Sequence, residues 1–255
     1  MNTRRMGMML ALLIVAGCSK PKDTGFQGWV EGDFLFVGPD EAGRVETLPF
    51  TEGQFASAGA LLFTLDDELQ KADVMQTQAT VTNARQTLQR AEQLVKAMAG
   101  TQKAYDDAQQ ALREAEARLN SAQTRLARRR VVSPASGIVQ QVYFRPGEIV
   151  PVGRPVVAIL PPENIKVRFF VSEAVLPKIS PGEVVTVTCN SCARDLTAKV
   201  SFIARTAEYT PPVIYSLEER AKLVFLVEAK PDRPQDFRVG QPIHVIMPKP
   251  QEAKR

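Results

Sequence analysis

GRVETLPFTEGQFASAGALLFTL, residues 43–65, and GIVQQVYFRPGEIVPVGRPVVAI, residues 137–159, align without a gap at a constant offset of 94. Gly43, Gly53 and Gly59 fall on Gly137, Gly147 and Gly153. The apolar positions follow: Val45 on Val139, Leu48 on Val142, Phe50 on Phe144, Phe55 on Ile149, Leu62 on Val156, Phe63 on Val157 and Leu65 on Ile159. Both stretches are strand-like, and glycines recurring between short β-rich runs mark places where the chain turns at positive φ or lets backbones approach. One copy has too few strands to bury a core. The pair therefore predicts two halves of one small β domain around a pseudo-twofold axis.

Residues 66–130, between the copies, contain no proline and a single glycine, Gly100, and are dominated by Ala, Gln, Leu, Arg and Glu. That composition forms helix. Thr77, Val81, Ala84, Leu88, Ala91, Val95 and Met98 recur at alternating spacings of three and four, as do Tyr105, Ala108, Leu112, Ala115, Leu119, Ala122 and Leu126. Such heptad seams predict two packed helices. The registers mirror one another: Met98 with Tyr105, Ala91 with Leu112 and Thr77 with Leu126 each sum to 203. An antiparallel coiled-coil hairpin turning just after Gly100 requires this, with arms of roughly 45 Å at 1.5 Å per residue. Asp66 and Asp67 suit the first helix's start. Arg125 and Arg128–Arg129–Arg130 read as a solvated end of the second.

Outside this block, residues 1–17 pair Arg4 and Arg5 with the apolar run Met8–Ala16, the layout of a secretory signal peptide, and Val15-Ala-Gly-Cys18 resembles a lipobox. The expectation is lipidation of Cys18, a short linker over 18–25, and a protein held at a membrane by its acyl chains. Removing Arg4 and Arg5 lowers the formal charge of +4 by two. The remaining charges are mixed, so no nucleic-acid surface is implied. From residue 163 alternation returns in Ile165, Val167, Phe169 and Val171, Val185 and Val187, Val200 and Phe202, Leu223–Val227 and Ile243–Met247, which predicts an antiparallel β-barrel over 163–248 before a polar tail, 249–255. Cys189 and Cys192 form a CxxC pair for which a disulfide, free thiols and a metal or redox role all stay open.

Half-domain over 26–65, hairpin over 66–130, half-domain over 131–162, then barrel: this order resembles the HlyD-type membrane fusion proteins, the periplasmic adaptors of tripartite efflux and secretion systems. Val131-Val-Ser-Pro-Ala-Ser-Gly-Ile-Val and Arg145-Pro-Gly-Glu carry the likeness where the chain leaves the hairpin. The resemblance implies an elongated, mainly β protein with a split biotinyl/lipoyl-like domain, an inserted helical hairpin and a C-terminal barrel. It implies an inner-membrane transporter partner, ABC-type ahead of proton-driven, a TolC-like outer-membrane channel, and a trimeric or hexameric homo-oligomer anchored at the inner membrane. Arg90, Leu94 and Thr101 match the family's channel-docking spacing at the hairpin tip, with threonine where the family carries serine. Tyr209-Thr-Pro-Pro-Val-Ile-Tyr215, with Pro211 and Pro212, resembles a segment of the adaptors of ABC-type exporters, implying a transporter contact; a rigid loop closing the barrel is the other reading. No lipoate or biotin is expected, because the hairpin occupies the place of a modified lysine.

Catalysis finds little support. His244 is the only histidine and sits in an alternating strand with no triad around it, and no GxxxxGK phosphate loop occurs. No catalytic, cofactor or metal residue is assigned. The competing reading is an envelope lipoprotein that binds a ligand or metal through its barrel without a transport partner.

Overall fold

The structure, a computed structural model, describes residues 25–190, 192–193, 195–209 and 223–247. In chain order its elements are β1 (Phe26–Gly32), β2 (Leu35–Val37), β3 (Gly43–Thr47), β4 (Phe55–Ala56) and β5 (Leu61–Leu65), then helices α1 (Glu68–Lys96) and α2 (Gln102–Ala127). There follow β6 (Arg130–Val132), β7 (Gly137–Val142), β8 (Ile149–Val150), β9 (Val157–Leu160), β10 (Ile165–Ser172), β11 (Val184–Thr188), β12 (Leu196–Ile203), β13 (Glu208–Tyr209), β14 (Leu223–Pro231) and β15 (Pro242–Ile246). They form two compact units, Gly32–Ile165 and one assembled from the flanking segments. Among the described residues no helix is long and apolar enough to cross a membrane.

The first unit holds two four-stranded sheets, β2-β9-β7-β4 and β6-β5-β3-β8. The offset of 94 carries β3 onto β7, β4 onto β8 and β5 onto β9, so the sheets correspond strand for strand, each drawing on both halves. Their turns are built alike. Gly53 and Gly147 have φ of +87° and +96°, where a side chain is disfavoured. Gly53 N–H donates to Val139 O and Gly147 N–H to Val45 O, both at 2.8 Å, while Val139 N–H donates to Gln54 O at 2.9 Å and Val45 N–H to Glu148 O at 2.8 Å. Between the sheets Val45, Leu62, Phe63, Leu65, Val139, Val150, Val156, Val157 and Ile159 form the buried core. At roughly 1.5–3 kcal/mol for each large apolar side chain removed from water, this core holds the halves together.

α1 and α2 emerge from this unit as a hairpin. Val81, Ala108, Ala115 and Ala122 are its buried residues, all on the predicted seams. Alanine there brings the helices close, and Arg85 reaches across to Glu116 at 3.3 Å. The helices of 29 and 26 residues run about 43 and about 39 Å.

In the second unit six strands, β10-β1-β15-β11-β12-β14, close through a β10–β14 pairing, and β13 adds to β14. The expected domain boundary at residue 26 does not hold. β1 pairs antiparallel with β15, Phe26 opposite Val245 and Trp29 opposite Pro242, so it is a barrel strand, not the start of a half-domain. Val30, Val167, Phe169, Val171, Val185, Val187, Val200, Ile243 and Val245 point into the barrel and are buried. Phe202 does not join them. A register shift between Val200 and Phe202 flips the alternation, and Phe202 is half exposed.

Candidate functional site

The hairpin tip follows from how α1 ends. Met98 N–H donates to Val95 O at 3.0 Å and Ala99 N–H to Leu94 O at 2.8 Å, the paired bonds of a Schellman turn. The left-handed residue this turn needs is Met98, with φ of 56°. The seam spacing places Met98 opposite Tyr105; the helix in fact stops two residues earlier, at Lys96, and Met98 is 96% exposed. Gly100, after which the hairpin was expected to turn, serves there by having no side chain. A Cβ there would lie 2.9 Å from Leu94 Cβ and 3.1 Å from Leu94 C.

Around this turn stand the residues matched to channel docking. Leu94 is 51% exposed. Arg90 is exposed and donates to Thr87 Oγ1 at 3.3 Å. Thr101 is the N-cap of α2, its hydroxyl accepting from Ala104 N–H at 3.2 Å. Lys96 is held by Glu92 at 2.6 Å, which keeps its ammonium above the ordinary lysine range. Leu94 and Met98 are thus bare apolar side chains beside a capped helix start. The seam pattern hid Met98, because its spacing continues past the helix end.

The hairpin base differs from the expectation too. Of the arginines read as a solvated helix end, Arg129 is buried, 8% exposed. Its Nη1 donates to Ala42 O at 3.0 Å and its Nη2 to Glu41 Oε2 at 3.2 Å. The Gln70 amide, assigned with its oxygen toward the guanidinium, accepts from Nε at 3.1 Å. One side chain from the end of α2 thereby ties the start of α1 to the loop before β3. At the start of α1 itself Asp66, not the N-cap Asp67, accepts from the first amide, Glu68 N–H, at 3.2 Å, while Asp67 pairs with Lys71 at 2.7 Å.

In the barrel, Cys189 and Cys192 are joined by a disulfide. Gln241 Nε2 donates to Cys189 Sγ at 2.9 Å, binding that turn to the β14–β15 connection. Among the described residues no group of three His, Cys, Asp or Glu side chains is placed to hold a metal. His244 is exposed on β15. Tyr209 lies in β13 opposite Leu223; Pro211, Pro212 and Tyr215 lie outside the described residues, as do Cys18 and the predicted signal segment.

No family model matches the chain. It is 32% identical over 130 residues to a UPF0194 membrane protein of Acidithiobacillus ferridurans, a match covering 48% of this chain and 38% of that protein. A UPF0194 membrane protein of Yersinia pseudotuberculosis is 28% identical over 120 residues, 46% of this chain and 37% of its own length. The matched part is thus under two fifths of these relatives. Among solved structures the chain superposes on the membrane fusion protein Spr0693 of Streptococcus pneumoniae with a TM-score of 0.69 at 20% identity, over 88% of this chain and 100% of that one. A chimera of MacA carrying the Pseudomonas aeruginosa MexA α-hairpin gives 0.69 at 21% identity over 87% and 79%. MacA of Actinobacillus actinomycetemcomitans gives 0.60 at 19% over 87% and 76%. At such identities the likeness establishes the fold.

Proposed function

We propose that this chain, which has the fold of the membrane fusion proteins, is a periplasmic adaptor anchored through Cys18 at the inner membrane. There it joins an exporter, of the ABC type, to a TolC-like outer-membrane channel. The reading makes the chain a homo-oligomeric scaffold around a substrate path rather than an enzyme. One observation carries it: a helical hairpin, inserted between the halves of a pseudo-twofold sheet pair, ends in exposed Leu94 and Met98. Bare leucine and methionine on a rod's end lose contact with water when covered, a gain an intramolecular role would already have used. Envelope placement draws support from the curated relatives, which carry the description membrane protein. The stretch through Tyr209, Pro211, Pro212 and Tyr215 is the proposed transporter contact. Arg90, Leu94 and Thr101 are the proposed channel contact, Thr101 doubling as the cap of α2.

The test is a tagged full-length chain with a photoreactive residue at Leu94, crosslinked in intact cells and recovered from solubilised envelopes. An inner-membrane transporter recovered together with a Leu94 adduct to an outer-membrane channel is the expected result. Intact chain recovered with neither partner would sink the adaptor role in favour of a ligand-binding lipoprotein.

A further inference from the structure

The barrel's disulfide sits where a crosslink does least for stability. Cys189 and Cys192 are three residues apart, and the entropy that a crosslink removes from the unfolded chain shrinks with the loop it closes. The ends of that loop are already held. β11 and β12 pair from Val184 opposite Lys199 to Val187 opposite Leu196, and Cys192 N–H reaches Cys189 O at 3.4 Å. Both cysteines are partly exposed.

What faces the sulfurs is more than a staple needs. Gln241 Nε2 donates to Cys189 Sγ at 2.9 Å and, at longer range, to Cys192 Sγ at 3.5 Å. The other polar groups of Gln241 are committed: Oε1 accepts from Arg238 N–H at 3.1 Å, the backbone N–H donates to Arg238 O at 3.0 Å, and the backbone O accepts from Val30 N–H at 2.9 Å. The bond from Arg238 N–H fixes which way round the amide sits, with its two donors toward sulfur. A neutral disulfide sulfur accepts weakly and gains little from this. A thiolate gains far more, because hydrogen bonds to an ionised partner are roughly twice as strong as neutral ones. An amide aimed from a fixed frame at one sulfur more than the other therefore suits a state in which that sulfur carries charge.

We propose that Cys189–Cys192 is a thiol-exchange site, at which the chain is reversibly modified, with Gln241 as its positioning residue. An incoming thiolate attacks Cys192 Sγ. A new S–S bond forms between that thiol and Cys192, the Cys189–Cys192 bond breaks, and its electron pair leaves on Cys189 Sγ, where Gln241 Nε2–H holds the thiolate. A second thiolate then attacks the first thiol's sulfur in the mixed disulfide. This releases the two thiols as one disulfide and leaves Cys192 as a thiolate, which takes a proton from solvent. Two thiols are oxidised and the pair is reduced. The leaving group sets the direction, since exchange runs faster where the departing thiolate is more stable; Cys189 is thus the sulfur that leaves and Cys192 the one attacked. The co-reactant is a thiol, of a small molecule or of a redox enzyme's cysteine. The β11–β12 ladder stands in both states, so exchange needs no unfolding of the barrel. The site does not rest on the adaptor reading.

The experiment exposes the oxidised full-length chain to glutathione and quenches with acid before alkylation, so that mass spectrometry counts opened pairs and locates the glutathione. The expected results are opening in the folded chain, glutathione on Cys192, and an unfolding temperature barely changed by reduction. Gln241→Leu should slow opening about tenfold, the effect of losing one hydrogen bond to a charged acceptor. Gln241→Glu keeps the acceptor for Arg238 N–H but sets a carboxylate against the departing thiolate, and should slow opening further. A structural disulfide that Gln241 merely shields gives the opposite sign, because removing the shield speeds attack. Faster opening in both variants, glutathione on Cys189, or a pair that resists glutathione until the chain unfolds would each overturn the proposal. The location of the glutathione is read on the parent chain and needs no variant to fold. A reduced CxxC oxidoreductase in place of glutathione separates the two thiol sources: the faster reductant at equal thiol concentration is the one the site takes.

Discussion

The hairpin's two ends are made by the same pair of helices and held by opposite means. At the base one buried guanidinium satisfies Ala42 O, Glu41 and Gln70 together. At the tip Leu94 and Met98 face solvent, and the ion pairs flanking the turn, Lys96–Glu92 and Lys103–Asp107, are exposed. Exposed pairs contribute little, about 0–1 kcal/mol. A rod fixed at its root and bare at its end can aim a contact surface without spending that surface on its own stability. The comparison turns into an ordering of mutational effects: stability should fall most at the base and least at the tip, and partner capture the reverse.

Arg129→Ala is the severest challenge to the base. It strands the Ala42 carbonyl and the Glu41 carboxylate and empties the space beside Gly43, a loss of about 2–3 kcal/mol. Thermal unfolding of the full chain should register it. Arg129→Lys should recover little, since an ammonium cannot serve three acceptors in the plane of a guanidinium. Equal stability of Arg129→Ala and the parent chain would mean that the root is not held there.

Thr101→Ala probes the side-chain cap at the tip. It removes the hydroxyl that accepts from Ala104 N–H, at about 1 kcal/mol, while Thr101→Ser should be nearly neutral. A channel-contact role independent of capping would appear as lost Leu94 crosslinking in Thr101→Asn, which keeps the cap and changes the surface. Smaller again is Met98→Gly. Relieving a left-handed methionine, φ 56°, is worth about 1 kcal/mol, and glycine's greater freedom in the unfolded chain takes back part of it. The expected outcome is a gain of about 0.5 kcal/mol with weaker partner capture; destabilisation would show that Met98 packs on something.

These contrasts were unevenly legible in the sequence. The sheet pair was readable because its turns need positive φ, so glycines had to recur at one offset. The hairpin was readable because two helices that do not pack together have no reason to carry mirrored seams. The sheet that β1 joins is not legible, because alternation through Phe26, Gly28 and Val30 reads the same whichever sheet the strand joins and its partner, Pro242–Ile246, is far along the chain. Phe202 departs from the alternation at a register shift, and a bulge leaves no residue signature. Arg129 was recoverable: three residues after Leu126 the seam continues onto it, and Arg129 with Val74 again sums to 203. Three consecutive arginines suggested one solvated cluster where helix phase singled out the middle one. Met98 failed in the opposite way, the same periodicity running on after the helix had ended.

The finest test of the comparison is Leu94→Ala, where the two ends should separate completely. Leu94 is 51% exposed, and the part of it that the turn uses is its Cβ, 2.9 Å from where a Cβ on Gly100 would sit. Alanine keeps that atom and is the better helix former, so unfolding should move by no more than about 0.5 kcal/mol. Recovery of the outer-membrane channel by a crosslinker at Arg90 should nevertheless fall sharply, because the deleted atoms are the ones that only a partner can cover. Arg90→Ala, read through a probe at Leu94, should weaken capture less, an exposed guanidinium contributing more to encounter than to the closed contact. Were Leu94→Ala instead to destabilise the chain by about 1 kcal/mol or more, roughly the cost of lost packing, while capture held, Leu94 would belong to the hairpin's own structure. The tip would then resemble the base, and the search for the docking surface would move to Met98.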